Sequence, residues 1–136
     1  MISTAWPVKL VSERKISPAL TASFSASILE RVCLIDDGKV SKSIHHRVRE
    51  ISKKLKSILS LKTKIPKNKK NLQKAIDKYL HVRELSKELE NLGTKLLKAS
   101  DKFIGADIKN AIHLAKGATK SALENIKVNK KLLRSF

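Results

Sequence analysis

The stretch NLQKAIDKYLHVRELSKELENLGTKLLKASDKF, Asn71 to Phe103, decides the fold class. Leu85, Leu89, Leu92, Leu96, Ala99 and Phe103 recur at alternating intervals of four and three, the period of one helix face. Leu72, Ile76 and Tyr79 form an earlier, slightly displaced stripe on the same segment. A single Gly93 costs about 1 kcal/mol relative to alanine in a helix interior. That is too little to break a segment so strongly patterned, and close packing against another backbone is as good a reason for Gly93 as a kink. Asp77, Glu84, Glu88 and Glu90 give the helix a surface of mixed sign. The leucine face can equally be an internal core or a seam between chains.

Working outward, Pro66 makes helical continuation past Ile65 unfavourable, because it lacks an amide hydrogen and restricts the residue before it. Upstream of that break, Ile44, Val48, Ile51, Leu55 and Ile58 define another amphipathic helix, begun after Ser41 or Ser43. Before it, Ser17 can cap a helix with Pro18 in the first turn, and the DDGK turn at Asp36 to Lys39 closes it. Its expected core stripe is Leu20, Phe24, Ile28, Val32 and Ile35, widened by Leu29 and Cys33. Downstream, Gly105 is read as the separator before a last helix whose inner face is Ile108, Ala111 or Ile112, Ala115, Ala118, Ala122 and Ile126. Side chains this small permit close helix approach.

These elements predict an all-α fold: a compact bundle of about four helices, over roughly 18–37, 42–62, 71–103 and 107–133, with a basic loop at 62–70. Residues 1–16 read as a short irregular N-terminal arm in which Trp6 can dock into a core or a partner. At 136 residues the chain suits one domain, 1–136. The alternatives are a three-helix core with a detachable first helix, or a core completed between chains, so a homo-oligomer stays open. The N-terminus lacks the order of a secretory signal, and no apolar run approaches about 18 residues. A soluble, cytoplasmic protein without a transmembrane segment is expected; secretion without a cleaved signal stays open.

The charge is uneven. The chain carries 30 Lys and Arg against 12 Asp and Glu, net +18. Residues 41–74 hold +11 of that excess and residues 111–136 another +5, while 1–40 and 75–110 hold +1 each. A solvated helix face ordinarily mixes signs, since like charges one turn apart repel. Phosphates would offset this segment, and the expected nucleic-acid-binding set is His46, Arg47, Arg49, Lys53, Lys54, Lys56, Lys62, Lys64, Lys67, Lys69, Lys70 and Lys74. Phe24, Phe103 and Tyr79 fall on core-like stripes, so few aromatics remain for base stacking. The expected partner is therefore structured RNA slightly ahead of duplex DNA, recognised through its backbone. An acidic protein surface is the alternative, with the chain acting as a helical interaction module or a secreted or phage effector.

Catalytic and metal chemistry find little support. One cysteine, Cys33, excludes an intramolecular disulfide, and its apolar context VCLI reads as a buried thiol. The four histidines are dispersed, with no acidic set at ligand spacing, so neither metal nor cofactor is expected and no catalytic residue is assigned. One local pattern stands apart. AIHLAKGATKSAL, Ala111 to Leu123, partly resembles the phosphoaccepting helix of histidine phosphotransfer domains in its His113, Lys116 and Gly117. That resemblance implies a four-helix core, a phosphoaccepting His113 and a receiver-domain partner.

Overall fold

A computed structural model describes residues 17–35, 41–61, 68–100 and 102–136. The expected N-terminal arm with Trp6, the DDGK turn, Pro66 and the lysines at 62, 64 and 67 lie outside the described residues. Four helices pack into an all-α bundle: α1 Pro18–Ile35, α2 Lys42–Ser60, α3 Lys69–Ala99 and α4 Lys102–Arg134. No strand occurs among the described residues.

Local chemistry sets the helix ends. Ser17 Oγ accepts from the Leu20 amide at 3.4 Å, Ser41 Oγ from the Ile44 amide at 3.2 Å, and Asn68 Oδ1 from the Asn71 amide at 2.9 Å. Each satisfies an amide that the first turn leaves without a helical partner. The Asn68 cap moves the start of α3 two residues ahead of the expected Asn71. At the other end, α3 stops at Ala99, with Ser100 extended, rather than running to Phe103. The break therefore precedes Gly105, which sits inside α4 and does not separate the helices.

Chain reach fixes the direction of the helices. Arg47 on α2 pairs with Glu88 on α3. With about 1.5 Å of rise per residue, a parallel arrangement would place Ser60 and Lys69 about 48 Å apart. Eight intervening residues span about 30 Å at most, so α2 and α3 are antiparallel. The still shorter connections on either side make α1 antiparallel to α2 and α3 antiparallel to α4, giving up-down-up-down topology. Among the described residues α1 packs on all three other helices, whereas α2 and α4 do not touch.

The pairing of α3 with α4 is the most extensive. Ile104, Ile108, Ala111, Ala115, Ala118 and Ala122 recur every three or four residues along α4 and are all buried. A Cβ built on Gly93 would lie 2.7 Å from Ile112 Cγ1, below any normal contact, so the absence of a side chain there sets the distance between the two helices. Leu29 of α1 is the next neighbour, at 3.8 Å from the same point. Leu85, Leu89, Leu92 and Leu96, the leucine face that could have paired between chains, are buried inside this one.

α3 and α4 extend about 20 Å beyond the shorter pair at 1.5 Å per residue. In that extension Leu72, Ile76 and Ile126 are buried but stand apart from the four-helix core cluster. The displaced stripe at Leu72 and Ile76 thus belongs to a two-helix projection, and the Leu85 to Leu96 stripe to the bundle proper.

α1 is rotated from its expected orientation. Pro18, Ala19, Ala22, Ser25, Ala26, Leu29, Val32 and Cys33 are buried, while Leu20, Phe24 and Ile35 of the expected stripe are exposed. Small residues win the inner face because α1 approaches α4 closely: the Ser25 hydroxyl donates to the Ala111 carbonyl at 2.7 Å. Contrary to the expected absence of a spanning-length apolar run, α1 is long and apolar enough to cross a membrane by length and composition, with mean hydropathy 1.3 over 18 residues. Its eight buried residues place it as a helix of the bundle.

Two stability predictions follow from the α3–α4 contact and its surroundings. Gly93→Ala should destabilise by about 1–3 kcal/mol through overpacking, less about 1 kcal/mol of helix propensity. Added to Ile112→Ala, which removes Cγ1, the same change should cost markedly less in denaturant titrations; strict additivity would show that the contact does not limit the packing. Among the described residues the buried Ser86 Oγ has no hydrogen-bond partner. Ser86→Ala should therefore raise stability by about 1 kcal/mol, read as a higher midpoint at unchanged m-value.

Candidate nucleic-acid interface

The inner stripe of α2, with Val48, Ile51, Leu55 and Ile58 buried and Ile44 half-buried, fixes what its opposite face presents. Lys42, His46, Arg49, Lys53 and Lys56 follow one another at four- and three-residue intervals and are all exposed. They form a column about 21 Å long at 1.5 Å per residue. Lys54 is exposed on the flank. Among the described residues the carboxylate on α2 is Glu50, whose Oε1 lies 3.4 Å from His46 Nε2 and 3.8 Å from Arg47 Nη1, while the charge of Glu88 on α3 also reaches Lys54.

Arg47 does not join that column. Its guanidinium donates through Nε to Glu88 Oε2 and through Nη2 to Glu88 Oε1, the latter at 2.6 Å. This forked geometry occupies two of the donors that phosphate recognition would use. The hydrogen bond from Arg47 holds the Glu88 carboxyl below its usual range, against partial burial, and Glu88 in turn holds the Arg47 guanidinium above its own. Arg47 is thereby a tie between α2 and α3.

At the tip of the two-helix projection Lys69, Lys70 and Lys74 are exposed on the first turns of α3. Together with Gln73 they line a shallow surface depression whose far wall is Leu133 of α4. The antiparallel pairing so brings the start of α3 beside the end of α4, where Lys127, Lys130, Lys131 and Arg134 are exposed. These four residues were missing from the expected set. Their signal was the +5 excess of residues 111–136, and only the antiparallel return of α4 connects it with Lys69 and Lys70. No acidic residue lies in the first turn of α3, so its unpaired amides and positive dipole end add to the lysines.

The expected residues thus separate into three groups. His46, Arg49, Lys53, Lys54 and Lys56 share the outer surface of α2; Lys69, Lys70 and Lys74 share the tip with the end of α4; Lys62, Lys64 and Lys67 connect the two along the chain but lie outside the described residues. The aromatics differ from expectation. Phe24 is 55% and Phe103 97% exposed, the latter in the first turn of α4. Phe103 is at the end of the bundle opposite the lysine-rich tip, and Phe24 is on α1, so neither supplies a stacking surface within the cationic groups. Tyr79 is half-buried, and burial raises its hydroxyl pKa.

His113 is exposed on α4 with Lys116 and Gly117, and a Cβ at Gly117 would meet nothing within 4 Å. The pattern that resembles a phosphotransfer helix is therefore accessible, within a cationic face that also carries Lys109 and Lys120. No cluster of three or more potential metal-ligating residues occurs among the described residues. No protein-family model, curated protein or solved structure matches the chain.

The Arg47–Glu88 pair makes stability depend on pH in a defined direction. A depressed carboxyl contributes stability above its ordinary value of 4.5, and that contribution is lost as pH falls through the folded-state value. Glu88→Gln should cost about 1 kcal/mol at neutral pH, since the pair is partly exposed. Its deficit relative to wild type should shrink as pH falls through the depressed folded-state value and wild-type Glu88 itself becomes protonated. A deficit independent of pH would assign the loss to packing.

Proposed function

We propose that the protein binds nucleic acid through the phosphate backbone, with structured RNA slightly favoured over duplex DNA. The observation that carries this reading is the exposed α2 column of Lys42, His46, Arg49, Lys53 and Lys56, on a helix whose single carboxylate is Glu50. At about 3.4 Å of axis per phosphate on each strand, a column of about 21 Å parallels roughly six phosphates. The lysines at the tip extend the contact to a second cationic surface, which suits a bent or folded partner better than a short straight one. Backbone contacts of this kind position a protein without reading sequence.

Binding to RNA hairpins, duplex DNA and an acidic polypeptide across a salt series tests the proposal. The nucleic acids should bind at low salt with a steep loss of affinity as salt rises. Replacing Lys69, Lys70 and Lys74 by glutamine should lower the salt slope by about 2–3, at roughly 0.9 per lost phosphate contact, for unrelated sequences alike. Arg47→Gln should lower stability while leaving the slope unchanged, because its fork is held by Glu88. Tight binding of the acidic polypeptide with none to either nucleic acid would replace this reading with an acidic protein partner.

A further inference from the structure

The outer face of α4 carries a second cationic column. Lys109, Lys116, Lys120, Lys127, Lys131 and Arg134 are all exposed, and their spacings of seven, four, seven, four and three keep them on one side of the helix. His113 and Glu124, also exposed, fill the two longer gaps. At 1.5 Å per residue the column is about 38 Å long. Asp107 and Glu124 are the two carboxylates of α4, and among the described residues none of the six cations is in an ion pair. The rest of the chain cannot neutralise them: the residues outside the described ones hold Glu13, Asp36, Asp37 and Asp101 against seven Lys and Arg of their own.

Packing sets this column opposite the one on α2. α1 and α3 touch each other and each touches both remaining helices, while among the described residues α2 and α4 do not meet. α2 and α4 therefore flank the α1–α3 pair. Arg47 lies against Glu88 and Ile112 against Gly93, so the antiparallel register puts Lys42 level with Ile112 and Lys56 level with Ile126. With touching helix axes about 8–10 Å apart and side chains reaching about 5–6 Å from each axis, the two charged faces stand about 25 Å apart and point away from each other.

We propose that the protein holds two double-helical nucleic-acid segments at once, one along each column, and so bridges them. The inference rests on the phosphate-backbone reading of the α2 column and adds a second site to it. A double helix, with a persistence length of about 150 base pairs in DNA, does not fold around a body this narrow, so a segment seated on one column leaves the other open to a second. Phosphates supply the charge that both faces lack. Two stems of one folded RNA provide such a pair of segments.

The test mixes the full chain at low salt with two RNA duplexes of about 16 base pairs, one on beads and one fluorescent, both far too short to bend around the bundle. Label held on the beads by the protein, and released as salt rises, is the expected result. Lys109→Gln, Lys116→Gln and Lys120→Gln together should release the label while the chain still binds a single duplex. Arg49→Gln, Lys53→Gln and Lys56→Gln should do the same from the other side. The same loss of charge at exposed positions of α3, Lys87→Gln, Lys95→Gln and Lys98→Gln, should leave the bridge intact. Glutamine has nearly the helix propensity of lysine, so all three variants keep their helices. Binding of a single duplex without bridging overturns the inference and leaves the phosphate-backbone reading standing, whereas no binding to any nucleic acid overturns both. A bridge that survives loss of the α4 cations, as a dimer with one site per copy would give, or one lost equally with the α3 cations, also overturns it.

Discussion

The distance between α3 and α4 is the constraint on which the other packing choices depend. Gly93 admits Ile112 where any side chain would collide, and α4 supplies alanine at four consecutive positions of its buried face. Alanine buries little apolar area, so this pairing gains its stability through the number of short van der Waals contacts that close backbones allow. The same economy extends to α1. Ala19, Ala22, Ser25 and Ala26 let it settle close enough for a serine hydroxyl to reach a backbone carbonyl of α4. Once small residues occupy the inner face, the larger Leu20, Phe24, Leu34 and Ile35 turn outward. The exposed apolar strip is a geometric consequence of the tight core.

The charge distribution follows a related division. α3 carries Asp77, Glu84, Glu88 and Glu90, whereas α2 has Glu50 alone among many cations. Only one ion pair joins α2 to α3 among the described residues, and it takes both oxygens of Glu88. Cations elsewhere on the outer surface of α2 are held near one another by the inner apolar stripe rather than by neutralising partners. Folding therefore works against their repulsion, and any bound polyanion relieves it.

The sequence made the helical period legible wherever one face was apolar and the other charged. α2 behaves that way: its inner stripe was correctly placed, and of its expected cations only Arg47 turns from the outer face, to Glu88. α1 was only partly legible in orientation: Leu29, Val32 and Cys33 of the expected stripe are buried, but ranking by size placed Leu20, Phe24 and Ile35 with them, and these lie outward while the alanines face in. The small face of α4 already implied close approach, but Gly93 left kink and close packing equally open until Ile112 was seen against it. The α3–α4 boundary was misplaced because Gly105 is the stronger local signal, whereas the chain turns at Ser100, five residues earlier. Phe103 was displaced with it, from a core stripe to full exposure. Among the cations, adjacency in sequence gathered the α2 column, while the join between Lys69 and the Arg134 end of α4 depends on antiparallel return and has no local signature.

The two surfaces left open among the described residues differ in the physical force that would cover them. One is cationic, so a polyanion bound there would gain its free energy from counterion release and lose it as salt rises. The other is apolar and neutral, so its cover comes from burial, which salt does not oppose. They also occupy different helices: α1 for the apolar strip, α2 and the joined ends of α3 and α4 for the cations.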